Sequence, residues 1–213
     1  MTTDDIKVFG HNNISITDGD KKIYIDPFEM KEEPRDADFI LITHDHYDHF
    51  SPEDIEKVAC ANTVLIVPEK MKTKVQKVAE LVREIVTVEQ RGYRELYGLE
   101  FDTIPAYNTL KPFHPKSAGW VGYILKIDGK RIYIAGDTDL TKEAKEVRCD
   151  IALVPVGGTY TMDVKKAAEL VNILRPEAAI PVHYGSIVGK PEDGEKFAKL
   201  VESSVKVELK IKF

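Results

Sequence analysis

The sequence predicts an α/β fold, a sandwich made of two pseudo-symmetric halves. Two segments, residues 18–26 and 128–137, share a turn, a basic residue, an alternating strand and a terminal aspartate. Each segment is followed by an apolar strand, a loop and a helical pattern. We interpret this similarity as an internal repeat whose strand-end loops meet at one edge, which would bring the terminal aspartates Asp26 and Asp137 close together.

Composition favours a single domain over residues 1–213, with 43% hydrophobic residues available for a core. The net charge of -6 gives no basic footprint for nucleic acid. The first twenty residues are polar, and no apolar run has the length of a membrane span. Cys60 and Cys149 lack the spacing of a metal or disulfide motif, so we expect free thiols. These features predict a cytoplasmic protein without a nucleic-acid or membrane partner.

The first half is expected to begin with three short strands, at residues 6–9, 13–17 and 22–26, the last two joined as a hairpin. An apolar strand follows at 39–43, and Ser51 then provides the N-cap of a helix with Pro52 at its first position. After a strand at 63–67, a second helix is predicted to start near Pro68. Four apolar side chains at helical spacing would be buried in it: Met71, Val75, Val78 and Val82.

The second half is expected to contain short strands between residues 85 and 104 and longer ones at 120–127 and 131–135. Asp163 is a suitable N-cap for a helix that ends before Pro176. A short apolar strand at 178–182 and a helix at 192–202 follow. Apolar and charged residues alternate from 205 to 213, which predicts an edge strand with one buried face.

Residues 44–49, His-Asp-His-Tyr-Asp-His, concentrate metal-ligand side chains. Three of the six histidines and the carboxylate of Asp48 lie here, directly after the apolar strand at 39–43. Imidazoles with a carboxylate suit zinc or a similar first-row metal, and four such side chains can serve two ions. The alternative, a polar loop before a helix, would not require this spacing.

Further polar side chains follow other predicted strands or occupy polar loops. They are Asp26, His114, Asp137 and His183. Each has a structural alternative: Asp137 alone could cap a helix that starts at Thr138, and His183 alone could stabilise a strand end. His11 either lines the same site or bonds to a loop. Lys111 and Lys116 flank His114 and could meet an anionic substrate, or could be solvated loop residues.

Three motifs, 43–49 (Thr-His-Asp-His-Tyr-Asp-His), 136–138 (Gly-Asp-Thr) and 181–185 (Pro-Val-His-Tyr-Gly), resemble the metallo-β-lactamase superfamily in sequence and order. Within it, the chain looks most similar to small hydrolases related to ascorbate-6-phosphate lactonase and N-acylphosphatidylethanolamine-hydrolysing phospholipase D. The loop at 157–162 supports that branch. The resemblance implies a four-layer αββα sandwich.

By this resemblance, one metal ion would be held by His44, His46 and His114, and a second by Asp48, His49 and His183. Asp137 would bridge the two ions, and Asp48 and Asp137 would be the catalytic carboxylates. Asp26 would orient a ligand from behind. Related hydrolases often carry a histidine where this chain has Asn108, so His114 is taken as the third ligand of the first ion. Contacts to ligands or substrate are expected from His11, Asn108 and Tyr160.

The resemblance implies a hydrolase that uses two divalent ions. Zinc is the expected metal, and manganese, iron and nickel are the alternatives. A hydroxide between the ions would cleave a small phosphoester, a lactone or a related ester. The expected partner is a small molecule, with an anionic substrate and a homo-oligomer both compatible with the sequence. The rival hypothesis is a metal-stabilised binding or scaffold protein without activity, which would lack an open coordination position.

Overall fold

The computed structural model describes residues 1–213 and contains two β-sheets. The first sheet has six strands in the order of the chain: β1 (Ile6–Gly10), β2 (Asn13–Asp18), β3 (Lys21–Ile25), β4 (Ala37–Leu41), β5 (Ala59–Pro68) and β6 (Glu84–Val88). Strands β1 to β3 pair in antiparallel fashion, and β3 to β6 are parallel. Connections between parallel strands carry the polar loops to one end of the sheet.

The second sheet has seven strands: β7 (Gly92–Leu96), β8 (Leu99–Pro105), β9 (Val121–Ile127), β10 (Lys130–Ile134), β11 (Ile151–Pro155), β12 (Ala178–Val182) and β13 (Lys206–Val207). From β8 to β13 the pairing is antiparallel twice and then parallel three times, which is the pattern of β1 to β6. The internal repeat is therefore confirmed in the topology, with β7 as an additional edge strand.

Four α-helices cover the sheets: α1 (Pro52–Val58), α2 (Lys142–Lys145), α3 (Val164–Leu174) and α4 (Asp193–Leu200). The predicted N-caps are confirmed, because Ser51 accepts a hydrogen bond from the Asp54 amide and Asp163 from the Lys166 amide. Helix α3 ends at Arg175, whose left-handed backbone precedes Pro176.

The prediction of an α-helix that starts near Pro68 is wrong. Two 3₁₀ segments, Glu69–Met71 and Lys74–Leu81, take its place. Neither has a side-chain hydrogen bond at its N-cap, so nothing stabilises an α-helical first turn there. The apolar side chains are nevertheless buried as expected at Met71, Val75 and Val78, while Val82 is half-buried.

The core follows the four layers. A cluster of 44 buried residues fills the space between the sheets and continues under α3 and α4. A second cluster of 14 residues packs α1 and the 3₁₀ segments onto the outer face of the first sheet. The predicted α/β sandwich of two pseudo-symmetric halves is confirmed.

The C-terminal strand is shorter than predicted. β13 lies at the sheet edge, as expected, but it comprises two residues, and one further bond joins the Glu208 amide to the Ala179 carbonyl. Beyond it, Leu209 and Phe213 are exposed on their outer sides. The chain leaves the sheet so that the Phe213 ring packs against Tyr184, with ring centroids 5.6 Å apart.

Two further observations concern membrane-spanning helices and disulfide bonds. Helices in this structure fall short of the length and apolar character that crossing a membrane requires. Cys60 and Cys149 are free thiols, as the sequence predicts.

Candidate metal centre

The polar residues at the strand tips converge at one edge of the sandwich. Asp26 follows β3, the histidine motif follows β4, Asp137 follows β10 and His183 follows β12. His11 lies in the turn between β1 and β2. The backbones of His11, Asp26 and His183 have positive φ angles of 49°, 45° and 58°. Non-glycine residues rarely adopt this conformation, and it is concentrated at functional sites.

One group of possible metal ligands comprises His44, His46 and His114, whose nitrogen atoms lie within 4.8 Å of one another. Nε2 of His44 and Nε2 of His114 are 3.3 Å apart. Ligand atoms of a tetrahedral zinc, each about 2.0–2.1 Å from the ion, are separated by about 3.4 Å. The two nitrogens therefore already have the spacing of two ligands of one ion.

The second group comprises His11, Asp48, His49 and His183. Oδ2 of Asp48 lies 3.8 Å from Nε2 of His49 and 3.9 Å from Nε2 of His183. These separations are slightly longer than the edge of a tetrahedral zinc site, which is about 3.4 Å. The geometry suits a second ion between these three side chains.

Asp137 lies between the two groups. Its Oδ2 is 3.3 Å from Nε2 of His114 and 3.9 Å from Nε2 of His44. Its Oδ1 is 3.1 Å from Nε2 of His183 and 3.3 Å from Nε2 of His49. The helix-cap alternative for Asp137 is wrong, because α2 begins later and is capped by Thr141. Each carboxylate oxygen thus faces a different group of histidines.

Several buried polar atoms at the centre have no hydrogen-bond partner. They include Oδ1 of Asp137, Nε2 of His49 and Nε2 of His183. Leaving such atoms unsatisfied costs roughly 1–3 kcal/mol each, more for a charged group. All three point toward the second group, and a divalent ion there would satisfy them together. The residues present therefore fit a metal ion.

Asp26 holds the centre from behind. Its carboxylate, fully buried, accepts hydrogen bonds from the Thr43 amide at 2.7 Å, the Thr43 hydroxyl at 2.6 Å, the Asn12 amide at 2.8 Å and His49 Nδ1 at 2.7 Å. Asp26 is close enough to His44 and His49 to count as a ligand, but its Oδ2 already accepts three of these bonds and its Oδ1 accepts the fourth. These bonds are those expected of a residue that orients the ligand histidines, and this role of Asp26 stays a prediction.

These bonds determine which histidine nitrogens are free. The Thr43 hydroxyl donates to Asp26, so the 2.9 Å contact with His44 Nδ1 requires that this nitrogen donate. His49 Nδ1 likewise donates to Asp26. Nε2 of His44 is then unprotonated in the neutral ring and is available as a ligand, and Nε2 of His49 becomes available when that ring loses its second proton to a bound cation. Thr43 and Asn12 were not assigned roles from sequence, although both adjoin assigned residues.

His11 lies behind Asp48 and does not line the cleft that leads to the centre. Its Nε2 is 2.9 Å from Oδ2 of Asp48, and its carbonyl accepts a hydrogen bond from the His183 amide. Burial lowers the pKa of His11 to about 4, so the ring is neutral and its Nε2 donates to Asp48. A role in substrate contact is therefore not supported; His11 is arranged to position Asp48.

Asn108 supports His114. Its amide nitrogen donates to the Tyr160 carbonyl at 2.8 Å, and its backbone N–H donates to the His114 carbonyl at 2.7 Å. Trp120, the only tryptophan, packs against the first group, with its ring 5.1 Å from His44, 4.8 Å from His46 and 5.1 Å from His114. Sequence reasoning missed Trp120, whose ring limits the motion of three candidate ligands.

The carboxylates of the centre are ionised. Burial opposes the ionisation of Asp137, but His183 and His49 hold its carboxyl pKa well below the usual range. For Asp48, burial opposes ionisation, but the hydrogen bond from His11 and the charge of His49 together lower the carboxyl pKa to about 2. Burial alone would lower the pKa of His49, yet Asp137 and Asp26 raise it to about 9. The negative charge of this centre therefore favours a cation.

A cleft of about 400 Å³ leads from the surface to the centre. His46, Asp48 and Asp137 lie at its base. Its apolar lining, here called the apolar wall, consists of Tyr47, Phe113, Tyr160 and Ile187. Sequence reasoning assigned Tyr160 to this region but missed the other three, since exposed loop side chains give no periodic signal.

The two lysines that flank His114 are engaged elsewhere. Lys111 donates to the carbonyls of Gly158 and Thr161 and lies 3.8 Å from Asp139. Lys116 donates to Glu143 at 2.5 Å. The hypothesis that either lysine meets an anionic substrate is not supported.

The backbone at Gly157 lies close to the backbone of His183. A Cβ at Gly157 would lie 2.3 Å from the His183 carbonyl, so only glycine fits there.

Known proteins share both the sequence and the fold. A family model described as a beta-lactamase superfamily domain matches residues 5–183. A UPF0173 metal-dependent hydrolase of Pyrococcus abyssi is 35% identical over 95% of this chain and 94% of its own length. A UPF0173 metal-dependent hydrolase of Thermus thermophilus is 30% identical over 92% and 90%.

Solved structures agree. A protein from Parabacteroides distasonis superposes with a TM-score of 0.81 and 30% identity, covering 97% of this chain and 93% of the other. Igni18, a metallo hydrolase from Ignicoccus hospitalis, gives a TM-score of 0.77 and 26% identity over 96% and 93%. The narrower resemblance to the lactonase and phospholipase D branch stays a prediction. The chain belongs to the beta-lactamase superfamily and, within it, to the UPF0173 metal-dependent hydrolases.

Proposed function

We propose that this metal-dependent hydrolase uses two ions, one held by His44, His46 and His114 and the other by Asp48, His49 and His183. Asp137 would bridge them. The observation that carries the proposal is the division of the Asp137 carboxylate, with Oδ2 3.3 Å from His114 Nε2 and Oδ1 3.1 Å from His183 Nε2. A carboxylate that bound one ion alone would not need its two oxygens directed at two separate groups of histidines.

Bound divalent ions would supply an activated water and polarise the scissile bond of a small ester, lactone or phosphoester. The protein's own contribution is orientation and charge. Asp26 and Thr43 set the rings of His49 and His44, and His11 sets the carboxylate of Asp48. Because these supports are buried, little reorganisation is needed when ions and substrate bind.

The rival hypothesis of a metal-stabilised scaffold fits less well. A structural site is closed by its protein ligands, whereas a catalytic site keeps an open position. Here the cleft reaches His46, Asp48 and Asp137 directly. An opening at three candidate ligands supports access by a small molecule.

Hydrolysis by the metal-loaded protein tests the proposal. The full chain is stripped with a chelator, reconstituted with zinc or manganese, and assayed on a generic phosphodiester, a lactone and a thioester. We expect turnover of at least one substrate that depends on added metal and is absent from the stripped protein. A protein that carries two ions yet hydrolyses none of these substrates would favour the scaffold hypothesis.

A further inference from the structure

The cleft above the metal centre combines an apolar wall with a lack of cationic side chains. Tyr47, Phe113, Tyr160 and Ile187 line it, and no lysine or arginine does. Its other ionisable lining side chains are His46 and three carboxylates, of which Asp48 and Asp137 are assigned to the metal ions and Asp45 is not. A substrate that reaches the base of the cleft must extend along this surface.

The wall is held in place by contacts between two loops. The rings of Phe113 and Tyr160 meet edge to face, with centroids 4.9 Å apart. Asn108 donates to the Tyr160 carbonyl at 2.8 Å, and Lys111 donates to the carbonyls on either side, those of Gly158 and Thr161. These bonds fix the wall before a ligand arrives, which lowers the entropic cost of binding.

Two lysines beside the cleft, Lys111 and Lys74, are already paired within the protein. Lys111 uses its ammonium for the two carbonyls just named and lies near Asp139. Lys74 contacts Asp45, which is on the rim of the cleft. A negatively charged group on the distal part of a substrate would therefore lie against the apolar wall, where no lining side chain offers it a cation, and its desolvation would be uncompensated.

We propose that the substrate is an ester, lactone or phosphoester whose group beyond the scissile bond is uncharged and aromatic or branched aliphatic. This inference rests on the proposed function, since it takes the metal centre as the place where the scissile bond lies. Phe113 is the specificity-determining residue, because its side chain is half exposed in the cleft and its partner Tyr160 supports it from the side. Burial of an aromatic ring against this wall provides the affinity.

Binding of hydroxamates, which anchor on metal ions, tests the inference without requiring turnover. Zinc-loaded full chain is titrated calorimetrically with acetohydroxamate, phenylacetohydroxamate and the hydroxamate of succinic acid, which has an anionic tail. We expect the benzyl compound to bind about tenfold tighter than the methyl compound, and the anionic compound no tighter than the methyl one.

Two variants locate the effect. Phe113→Ala should reduce the benzyl preference to about threefold or less, while Tyr93→Ala should leave it unchanged. Tyr93 is a matched control, because it is 48% exposed against 49% for Phe113 and lies on β7, outside the cleft. A benzyl preference that is absent, or that survives Phe113→Ala, would overturn the inference.

The anionic compound provides a second way to contradict it. Tighter binding of the succinic derivative, lost in Lys74→Ala, would show that the cleft selects anions. If no hydroxamate binds to protein that carries two zinc ions, the ions do not lie at the base of the cleft, and the proposed function itself fails together with the inference.

Discussion

Nδ1 of His49 donates a 2.7 Å hydrogen bond to Oδ2 of Asp26, and neither side chain is exposed. The same carboxylate oxygen accepts a bond from the Thr43 hydroxyl, which in turn accepts from His44. One buried aspartate therefore sets the rings of a histidine in each of the two groups. The preparation of the metal centre therefore depends on a residue whose Oδ2 accepts three hydrogen bonds from its surroundings.

Asp26→Asn should weaken zinc binding by about 10–100-fold. The side-chain amide of asparagine has one oxygen, so it cannot accept the hydrogen bonds of both His49 and Thr43 as the carboxylate does. Zinc affinity is measured by competition with a coloured chelator. Asp54→Asn is the control, since Asp54 is another buried carboxylate with several bonds, to Glu29, Met30 and Ser51, but lies outside the centre. Equal zinc affinity in the two variants would contradict the role given to Asp26.

His114→Ala should remove the first ion, whereas His11→Ala should keep both ions and weaken the second by about tenfold. Trp120 contacts only the first group of histidines, so quenching of its fluorescence by cobalt(II) reports mainly on the first ion. We expect strong quenching in His11→Ala and little in His114→Ala. The assignment is wrong if His114→Ala retains full metal content while His11→Ala loses one ion.

Gly157→Ala should destabilise the protein by about 1–3 kcal/mol, which corresponds to a fall of several degrees in Tm. The added Cβ would lie 2.3 Å from the His183 carbonyl, so the backbone beside a candidate ligand must shift. Gly92→Ala is the control, because its Cβ would meet no atom nearer than 3.6 Å. Differential scanning calorimetry of the metal-loaded proteins provides the comparison, and similar Tm values would refute the close approach.

Much of the fold follows from local sequence patterns. Alternating strands and the repeat around residues 18–26 and 128–137 determined the two similar halves, because a period of two residues specifies a sheet face. The secondary-structure predictions failed in two segments where contacts with the rest of the protein, and not the local pattern, determine the conformation. Residues 69–81 have helical spacing but no N-cap, and the last residues leave the sheet to pack Phe213 on Tyr184.

The candidate site was predictable for a different reason. Side chains at strand tips come together through the sheet topology, so the convergence of Asp26, Asp137 and His183 follows from their positions in the chain. What could not be predicted are contacts between loops distant in sequence. The hydrogen bond between His11 and Asp48 joins residues 37 positions apart in the sequence. The hydrogen bond from Lys111 to the Gly158 carbonyl joins residues 47 positions apart.

The central claim, that Asp137 joins two ions, is tested most directly by counting ions in the wild-type protein and in Asp137→Asn. Each protein is reconstituted with excess zinc, freed of loose metal and examined by elemental analysis and native mass spectrometry. We expect about two ions per chain in the wild type and about one in the folded variant, with hydrolysis reduced at least a hundredfold. Fewer than one ion in the wild type, or unchanged ion content and turnover in Asp137→Asn, would contradict it.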